Sequence, residues 1–271
     1  MSTRSVGAVT VTALRDARGP FVAWETAFPG ASLRDWVLAR SADPAAFGHD
    51  GRWLLDFRAF LVRSAVGVTL VDAGIGPVGA PAQGWAPVPG ALPSALAAAG
   101  IGPSDVDTVV LTHLHSDHCG WAVTADGAPM FPNARYVLHR DEVAWVTDPV
   151  ASYVVAPLRA ADVLQEVAGE TVLSRLPSGE RVTVFPTPGH TPGHQSVVVA
   201  GGGAEVVVTG DVLVHAVQLV APSVSYVYEE DPDLARASRM AMLARDAELA
   251  TPHLTEPFVR ARPAGTPAPR P

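Results

Sequence analysis

The segment that most constrains the fold is an apolar, β-branched run at residues 106–111 that leads directly into polar residues. A short run of this kind predicts a strand that is buried on both faces of a sheet. The residues that follow are Thr112-His113-Leu114-His115-Ser116-Asp117-His118. Because α/β proteins place their sites where buried strands end, we expect a functional site here and not a polar surface loop.

Strand and helix patterns alternate between residues 59 and 250, with no sharp change in composition and no internal repeat. A chain of 271 residues allows one large α/β domain or two smaller ones. The uninterrupted alternation favours one domain over residues 1–262. Residues 263–271 are a low-complexity, proline-rich tail, which we expect to be disordered.

Several element predictions are specific enough to be tested by the structure. We predict a first strand at 6–14, a strand pair at 59–63 and 66–72, and two strands at 196–200 and 206–209 joined by a glycine turn. We predict helices at 157–168 and at 231–250, the second being the longest in the chain. Residues 21–51 lack clear periodicity, so we interpret them as an irregular excursion or as a segment that covers a substrate.

Composition excludes several classes of protein. Hydrophobic residues make up 48% and charged residues 17% of the chain, which excludes a disordered protein or a coiled coil. The net charge is −8 and every basic residue is an arginine, so a nucleic-acid partner is not expected. A single cysteine, Cys119, excludes an intramolecular disulfide and a cysteine-rich zinc site. The alanine-rich, lysine-free composition suggests a GC-rich bacterial genome.

The location of the protein is predicted from its first residues and from its most apolar region. The first residues lack an apolar stretch of signal-peptide length, and the most apolar region, 195–214, is interrupted by Gly201-Gly202-Gly203 and Glu205. We therefore expect a cytoplasmic protein that does not bind membranes. The sequence leaves open whether it forms a homodimer.

The histidine cluster has the chemistry of a metal site. Residues i and i+2 of an extended backbone point to the same side, so His113 and His115 can meet one metal ion. Asp117 and His118 follow directly and can face a neighbouring position. Neutral imidazole and carboxylate groups suit Zn²⁺ and its first-row neighbours.

Five motifs resemble those of the metallo-β-lactamase-fold hydrolases, in the same order. They are Asp72-Ala73-Gly74, His113-Leu114-His115-Ser116-Asp117-His118, Thr187-Pro188-Gly189-His190-Thr191-Pro192-Gly193-His194, Thr209-Gly210-Asp211 and Pro252-His253. The resemblance covers about residues 57–258. It implies an α/β fold, the four-layer αββα sandwich of the metallo-β-lactamase type.

The resemblance also implies a site for two divalent metal ions, with Zn²⁺ expected first and Mn²⁺ or Fe²⁺ as alternatives. The implied ligands are His113, His115 and His190 for the first ion, Asp117, His118 and His253 for the second, and Asp211 as a bridge. Asp72 would orient a ligand histidine or the loop backbone. His194 is the alternative to His190. His215 is the alternative to His253, and otherwise we expect it near the mouth of the site.

By the same resemblance, the expected reaction is hydrolysis of an ester, lactone or thioester of a small-molecule substrate by a metal-bridging hydroxide, with Asp117 as the proton carrier. Related lactonases typically carry a tyrosine just after the bridging aspartate, where this chain has Val214, which argues against acyl-homoserine lactones as the substrate. The stretch Gly210-Asp211-Val212-Leu213-Val214-His215, with Gln218, resembles the organophosphate and aryl-ester hydrolases more. The alternatives are a tailoring thioesterase, a single-iron oxidoreductase like the persulfide dioxygenases, and a non-catalytic binding protein. Trp24, Trp85, Trp121 and Trp145 are candidates for the core or for a pocket wall.

Overall fold

A computed structural model describes residues 1–260, which form two β-sheets packed face to face. Strands β1 to β7 follow one another in space as they do in sequence and make the first sheet. Their bounds are Thr3–Val6, Val9–Ala23, Arg52–Ser64, Gly67–Val71, Thr108–Val110, Arg135–His139 and Leu164–Val167. β1 to β4 are antiparallel, whereas β4, β5, β6 and β7 run parallel.

The second sheet has six strands in the spatial order β13-β12-β11-β10-β9-β8. From β8 to β13 their bounds are Thr171–Arg175, Arg181–Pro186, Gln195–Gly201, Ala204–Val208, Glu248–Ala250 and Phe258–Arg260. The predicted glycine turn joins β10 to β11, and both Gly202 and Gly203 have positive φ angles that favour glycine there. Only β11 and β12 pair in parallel in this sheet.

Valines from both sheets fill the space between them. Val71 and Val110 of the first sheet and Val184 and Val199 of the second belong to one fully buried cluster. Along each strand these β-branched side chains alternate with residues that face the outer helices, such as Val109 and Val198, so the strands are buried on both faces. Burying each of them stabilises the fold by roughly 1.5–3 kcal/mol. This hydrophobic cluster therefore contributes much of the free energy that holds the two sheets together.

Helices cover the outer faces of both sheets. In chain order, α1 to α8 are Trp24–Ala27, Leu33–Ala42, Leu92–Ala98, Ser116–Cys119, Arg140–Trp145, Ala156–Ala160, Ala216–Val220 and Pro232–Leu243. Short 3₁₀ turns lie at Pro44–Ala46, Pro81–Gly84, Pro103–Asp105 and Gly210–Val212, and a π-helical turn, Ala151–Val155, precedes α6. α3 and α6 pack on the first sheet and α8 on the second. The layers therefore follow the order αββα, as predicted.

Three element predictions were wrong. The predicted helix 231–250 ends at Leu243, because residues 248–250 pair with β11 as strand β12. The predicted helix 157–168 ends at Ala160, because Leu164–Val167 add to the edge of the first sheet as β7. The segment 21–51 is not irregular: it contains α2, which starts with a capping box between Ser32 and Asp35. Pairing with distant strands overrode local helical preference in the first two cases.

Other whole-chain predictions have different outcomes. The single domain at 1–262 stays a prediction, and the proposed tail at 263–271 lies outside the described residues. Within residues 1–260, no helix combines the length and the apolar composition that crossing a membrane would require.

The strand order places the motif residues at one edge of the sandwich. Asp72 directly follows β4, and Thr112 lies two residues after β5. Asp211 and His253 each lie three residues after a strand, β11 and β12 respectively. β4 and β5 are parallel, as are β11 and β12, so the carboxyl ends of these strands meet at the same edge.

Candidate metal centre

The first group of side chains contains His113, His115, His190 and Asp211, whose ligand atoms all lie within 4.8 Å of one another. Nδ1 of His115 is 3.1 Å from Nε2 of His113 and 2.8 Å from Nε2 of His190. Oδ2 of Asp211 is 3.2 Å from Nε2 of His190. Three imidazoles and one carboxylate oxygen therefore converge on one point.

The second group contains Asp117, His118 and His253. Nε2 of His118 is 3.1 Å from Nε2 of His253, and both lie about 3.5 Å from Oδ2 of Asp117, at 3.5 and 3.6 Å. The other carboxylate oxygen of Asp211, Oδ1, is 3.2 Å from Nε2 of His118 and 3.1 Å from Nε2 of His253. Asp211 thus stands between the groups, with one oxygen facing each. All seven predicted ligand residues are brought together.

Hydrogen bonds fix which nitrogen of the second-group histidines faces the centre. Nδ1 of His118 is 2.9 Å from Oδ2 of Asp72, and Nδ1 of His253 is 2.7 Å from the Asp56 carbonyl oxygen. Both acceptors require a proton on Nδ1, so Nε2 is the nitrogen of each ring that would bind a metal ion. Asp72 also accepts from the backbone N–H of Thr112 at 2.8 Å. Its expected orienting role is therefore visible in its contacts.

His194 orients the bridge residue without joining either group. Its Nε2 accepts a hydrogen bond from the backbone N–H of Asp211 at 2.9 Å, and its Nδ1 is 2.8 Å from the Thr187 hydroxyl. Gly210 lies against this ring with a φ of 54°, and a Cβ there would overlap the ring at Nε2. Glycine is therefore required before Asp211 by both conformation and space.

The structure does not bear out the expectation for His215. This side chain is fully buried and is absent from the pocket lining, so it does not lie at the mouth of the site. Its ring is enclosed by Phe28, Trp36, Phe47 and Trp53, with centroid distances between 5.1 and 5.8 Å. Its Nδ1 accepts from the backbone N–H of Val217 and so caps α7.

The two groups differ in how their environment affects protonation. Burial holds the pKa of His113 and of His115 well below the usual value, so both are neutral and able to donate a lone pair. Burial also acts to lower the pKa of His118, but Asp211, Asp117 and Asp72 outweigh it and raise that pKa well above the usual value. Burial opposes ionisation of Asp211, yet neighbouring histidines hold its pKa well below the usual range.

The donor set fits divalent metal ions. Nitrogens bound about 2.0–2.1 Å from one tetrahedral ion lie roughly 3.4 Å apart, close to the spacing between the converging nitrogens of the first group. Oδ1 of Asp211 is buried and lies 3.2 and 3.1 Å from Nε2 of His118 and of His253, so a buried carboxylate oxygen and two imidazole nitrogens meet at a point where a cation would join them. Imidazole and carboxylate ligands suit Zn²⁺ and its first-row neighbours.

Arg58 braces the segment that carries His253, a role that no sequence pattern had indicated. This buried guanidinium donates to the carbonyl oxygens of Pro252, at 3.2 Å, of Leu254, and of Thr255, at 2.7 Å. These acceptors flank His253 on both sides. The only local clue was an arginine inside an otherwise apolar strand, which does not reveal a partner almost 200 residues away.

A pocket of about 380 Å³ opens onto the two groups. Its apolar wall includes five aromatic side chains from four separate segments: Phe21, Trp53, Trp85, Tyr226 and Tyr228. Phe21 connects them, with its ring centroid 5.1 Å from that of Trp85 and 6.0 Å from those of Trp53 and Tyr228. Of the four tryptophans considered from the sequence, only Trp85 lines this pocket.

Buried charges hold two segments of this wall. Both oxygens of Asp16 accept backbone N–H groups, from Ile75 and Leu92 at 2.6 Å each, and so fix the two ends of the loop that carries Trp85. Arg239 is fully buried, lies 2.7 Å from Oε1 of Glu229 and donates to the Pro222 carbonyl at 2.8 Å. These bonds fix the segment that carries Tyr226 and Tyr228.

Comparison with known proteins agrees with this geometry. Residues 58–252 match the family model of the metallo-beta-lactamase superfamily, which is more than half of the chain. The chain belongs to the metallo-beta-lactamase superfamily. The resemblance of the five motifs to this superfamily and the expected αββα fold are thereby confirmed.

Curated members of the superfamily match parts of the chain. The N-acyl homoserine lactonase AttM of Rhizobium radiobacter is 32% identical over 109 residues, which are 38% of this chain and 39% of the lactonase. The human metallo-beta-lactamase domain-containing protein 1 is 36% identical over 181 residues, 65% of this chain and 55% of that protein. The chain thus spans between about two fifths and just over half of the length of these relatives.

Solved structures match over nearly the whole chain. The hydrolase AbOPH of the beta lactamase superfamily superposes with a TM-score of 0.77 at 27% identity, covering 95% of this chain and 91% of that one. AidC, a dizinc quorum-quenching lactonase, gives a TM-score of 0.76 at 20% identity, covering 97% and 95%. At 20% identity the second likeness concerns the fold alone.

Proposed function

We propose that the protein is a binuclear metal-dependent hydrolase that cleaves uncharged carboxylic esters or lactones. The observation that carries this proposal is the position of Asp211, whose two oxygens face two separate ligand groups at the base of an apolar pocket. A carboxylate in this position can hold two cations close together, the arrangement that two-metal hydrolases use.

His113, His115 and His190 would hold the first ion, and Asp117, His118 and His253 the second, with Asp211 shared. Bound divalent ions would polarise a substrate carbonyl and bring the pKa of water towards 7. Each group would leave part of the coordination sphere free for water or substrate, as a catalytic site requires.

The remaining steps fall to side chains of the pocket. The carboxylate of Asp117 faces the pocket and is the group best placed to take up a proton and pass it to the leaving alkoxide. Burial, together with the charges of Asp211 and Asp117, raises the pKa of Tyr226 well above its usual value. Its phenol therefore keeps its proton and can donate a hydrogen bond to a substrate oxygen. The aromatic wall excludes bulk water from the reacting bond.

The lining of the pocket supports an uncharged substrate. Among the described residues that line it, none is an arginine, and the chain contains no lysine, so an anionic substrate would find no side-chain cation. Aromatic rings favour an aryl or alkyl group on the ester. The similarity to proteins named as lactonases supports a lactone or ester bond, and thioesters belong in the same test.

The test combines metal analysis with a substrate panel. Purified protein would be assayed against p-nitrophenyl esters, N-acyl homoserine lactones, acyl thioesters and an aryl phosphotriester, before and after removal of metal with a chelator. We expect two metal equivalents, ester or lactone cleavage that the chelator abolishes and Zn²⁺ restores, and no activity in Asp211→Asn. Full activity in metal-free protein would refute the proposal, and one equivalent of iron would favour the oxidoreductase alternative.

A further inference from the structure

A buried carboxylate outside the ligand set connects the two loops that build the first group. Glu142 lies in the first turn of α5 and is fully buried. Its Oε1 accepts the backbone N–H of Leu114 at 2.8 Å. Its Oε2 accepts the Thr191 hydroxyl at 2.6 Å and the backbone N–H of Gly193 at 3.1 Å. Glu142 belongs to none of the five sequence motifs.

The donors to Glu142 sit directly beside ligand residues. Leu114 lies between His113 and His115, and Thr191 follows His190. His113 and His115 lie in the loop after β5 of the first sheet, whereas His190 lies in the loop before β10 of the second sheet. The first group is therefore assembled across the two sheets, and Glu142 binds both loops at once.

Close packing makes this connection rigid. Gly193 touches α5 so closely that a Cβ there would overlap the backbone nitrogen and Cα of Glu142. With no side chain at residue 193, the His190 loop lies directly against the start of the helix. Charge-assisted hydrogen bonds to backbone N–H groups are among the stronger ones, so Glu142 limits how far the two loops can move apart.

The second group depends on other contacts. His118 is held by Asp72 at 2.9 Å and His253 by the Asp56 carbonyl at 2.7 Å. Arg58 braces the backbone on both sides of His253. None of these atoms bonds to Glu142 among the described residues, so the two groups have separate supports.

We propose that Glu142 is a positioning residue that sets the affinity of the first metal group, without contributing to the second. The inference rests on the proposed binuclear function. As a consequence, the binding of each ion can be weakened independently of the other, although Asp211 faces both groups. Loss of a partner that orients ligands typically lowers metal affinity by about 10- to 100-fold.

The test is a zinc titration of metal-free protein against a chromophoric chelator, comparing wild type with Glu142→Gln. The amide keeps the size of the side chain but cannot accept at both ends. We expect the variant to bind one ion with wild-type affinity and the other about 10- to 100-fold more weakly. Glu180→Gln is the matched control. Glu180 is also buried and accepts a backbone N–H, from Ala8, at the opposite end of β9, and its variant should bind both ions normally.

Combined variants assign the weakened ion to a group. In a His190→Asn background, Glu142→Gln should cause little further loss of zinc affinity, because binding of the first ion is already weak. In a His253→Asn background it should leave no tightly bound ion. Independent effects in the first background would overturn the assignment.

A second variant covers the case in which Glu142→Gln does not fold. Thr191→Val removes one donor and should give the same one-sided loss, but a smaller one. Unchanged affinity for both ions, or equal weakening of both, would overturn the inference while leaving the proposed function intact. Wild-type protein that binds no zinc would overturn both.

Discussion

His215, a buried histidine that belongs to neither ligand group, should make the protein lose stability in mild acid. Burial lowers its pKa from 6.5 to about 3. Its ring lies among four aromatic side chains, its Nδ1 accepts from Val217, and its Nε2 has no hydrogen-bond partner within residues 1–260. In the unfolded chain the same imidazole titrates near 6.5.

The magnitude follows from this difference in pKa. Below pH 6.5 the unfolded chain binds a proton at this position that the folded protein does not bind, so the free energy of unfolding falls as the pH falls towards 3. Between pH 8 and pH 5, His215 alone should lower the free energy of unfolding by about 2 kcal/mol. This is a sizeable part of the stability of a typical domain.

Two variants isolate this contribution. His215→Asn keeps an acceptor at the start of α7 but loses the ring packing, whereas His215→Phe keeps a ring but loses the cap. Their stabilities at pH 8 will differ from each other. Neither asparagine nor phenylalanine titrates, however. Between pH 8 and pH 5 the free energy of unfolding of both variants should therefore fall by about 2 kcal/mol less than that of wild type.

The assay is urea unfolding of metal-free protein at both pH values, followed by tryptophan fluorescence. Every other titratable group is shared by the three proteins, so the difference in pH response isolates His215. Parallel loss of stability in wild type and in both variants would refute the reasoning. It would mean that the imidazole is protonated or hydrated inside the folded protein.

Three further outcomes are expected. Removing metal with a chelator should lower the thermal midpoint, and Zn²⁺ should restore it, because the ligand groups on either side of Asp211 come together only in the folded protein and an ion bound there stabilises that state. An unchanged midpoint in calorimetry would contradict this. Arg239→Met should lower the free energy of unfolding in urea by about 3–5 kcal/mol, because it leaves the carboxylate of Glu229 buried without its arginine partner. Adding Glu229→Gln should recover part of this loss. Trp85→Ala should raise KM for p-nitrophenyl esters with long acyl chains more than for the acetate, because Trp85 forms one wall of the pocket; an equal change for both would place the acyl chain elsewhere.

Much of the metal centre could be predicted from local sequence. His113 and His115 share one side of an extended segment because of their i, i+2 spacing, and a buried strand directly before them sets their place at a sheet edge. Asp211 follows a strand in the same way. For these residues the chemistry lies in a few consecutive positions. That they bind metal stays a proposal.

The supports of the centre could not be predicted, because each joins positions far apart in the chain. Glu142 binds a residue 49 positions away and Arg58 one 197 positions away, and neither lies in a motif. The burial of His215 likewise depends on four aromatic residues from distant segments. A single sequence carries no periodicity that reports such pairs.

The sequence by itself determined which side chains could bind metal and that His113, His115 and Asp211 follow strands, because strand periodicity and donor chemistry are local properties. Tertiary structure alone decided that residues 248–250 form a strand and not the end of a helix, since the free energy of pairing with β11 outweighs helical preference. It also decided the shape of the pocket, because packing brings together Phe21, Trp53, Trp85 and Tyr226 from separate segments.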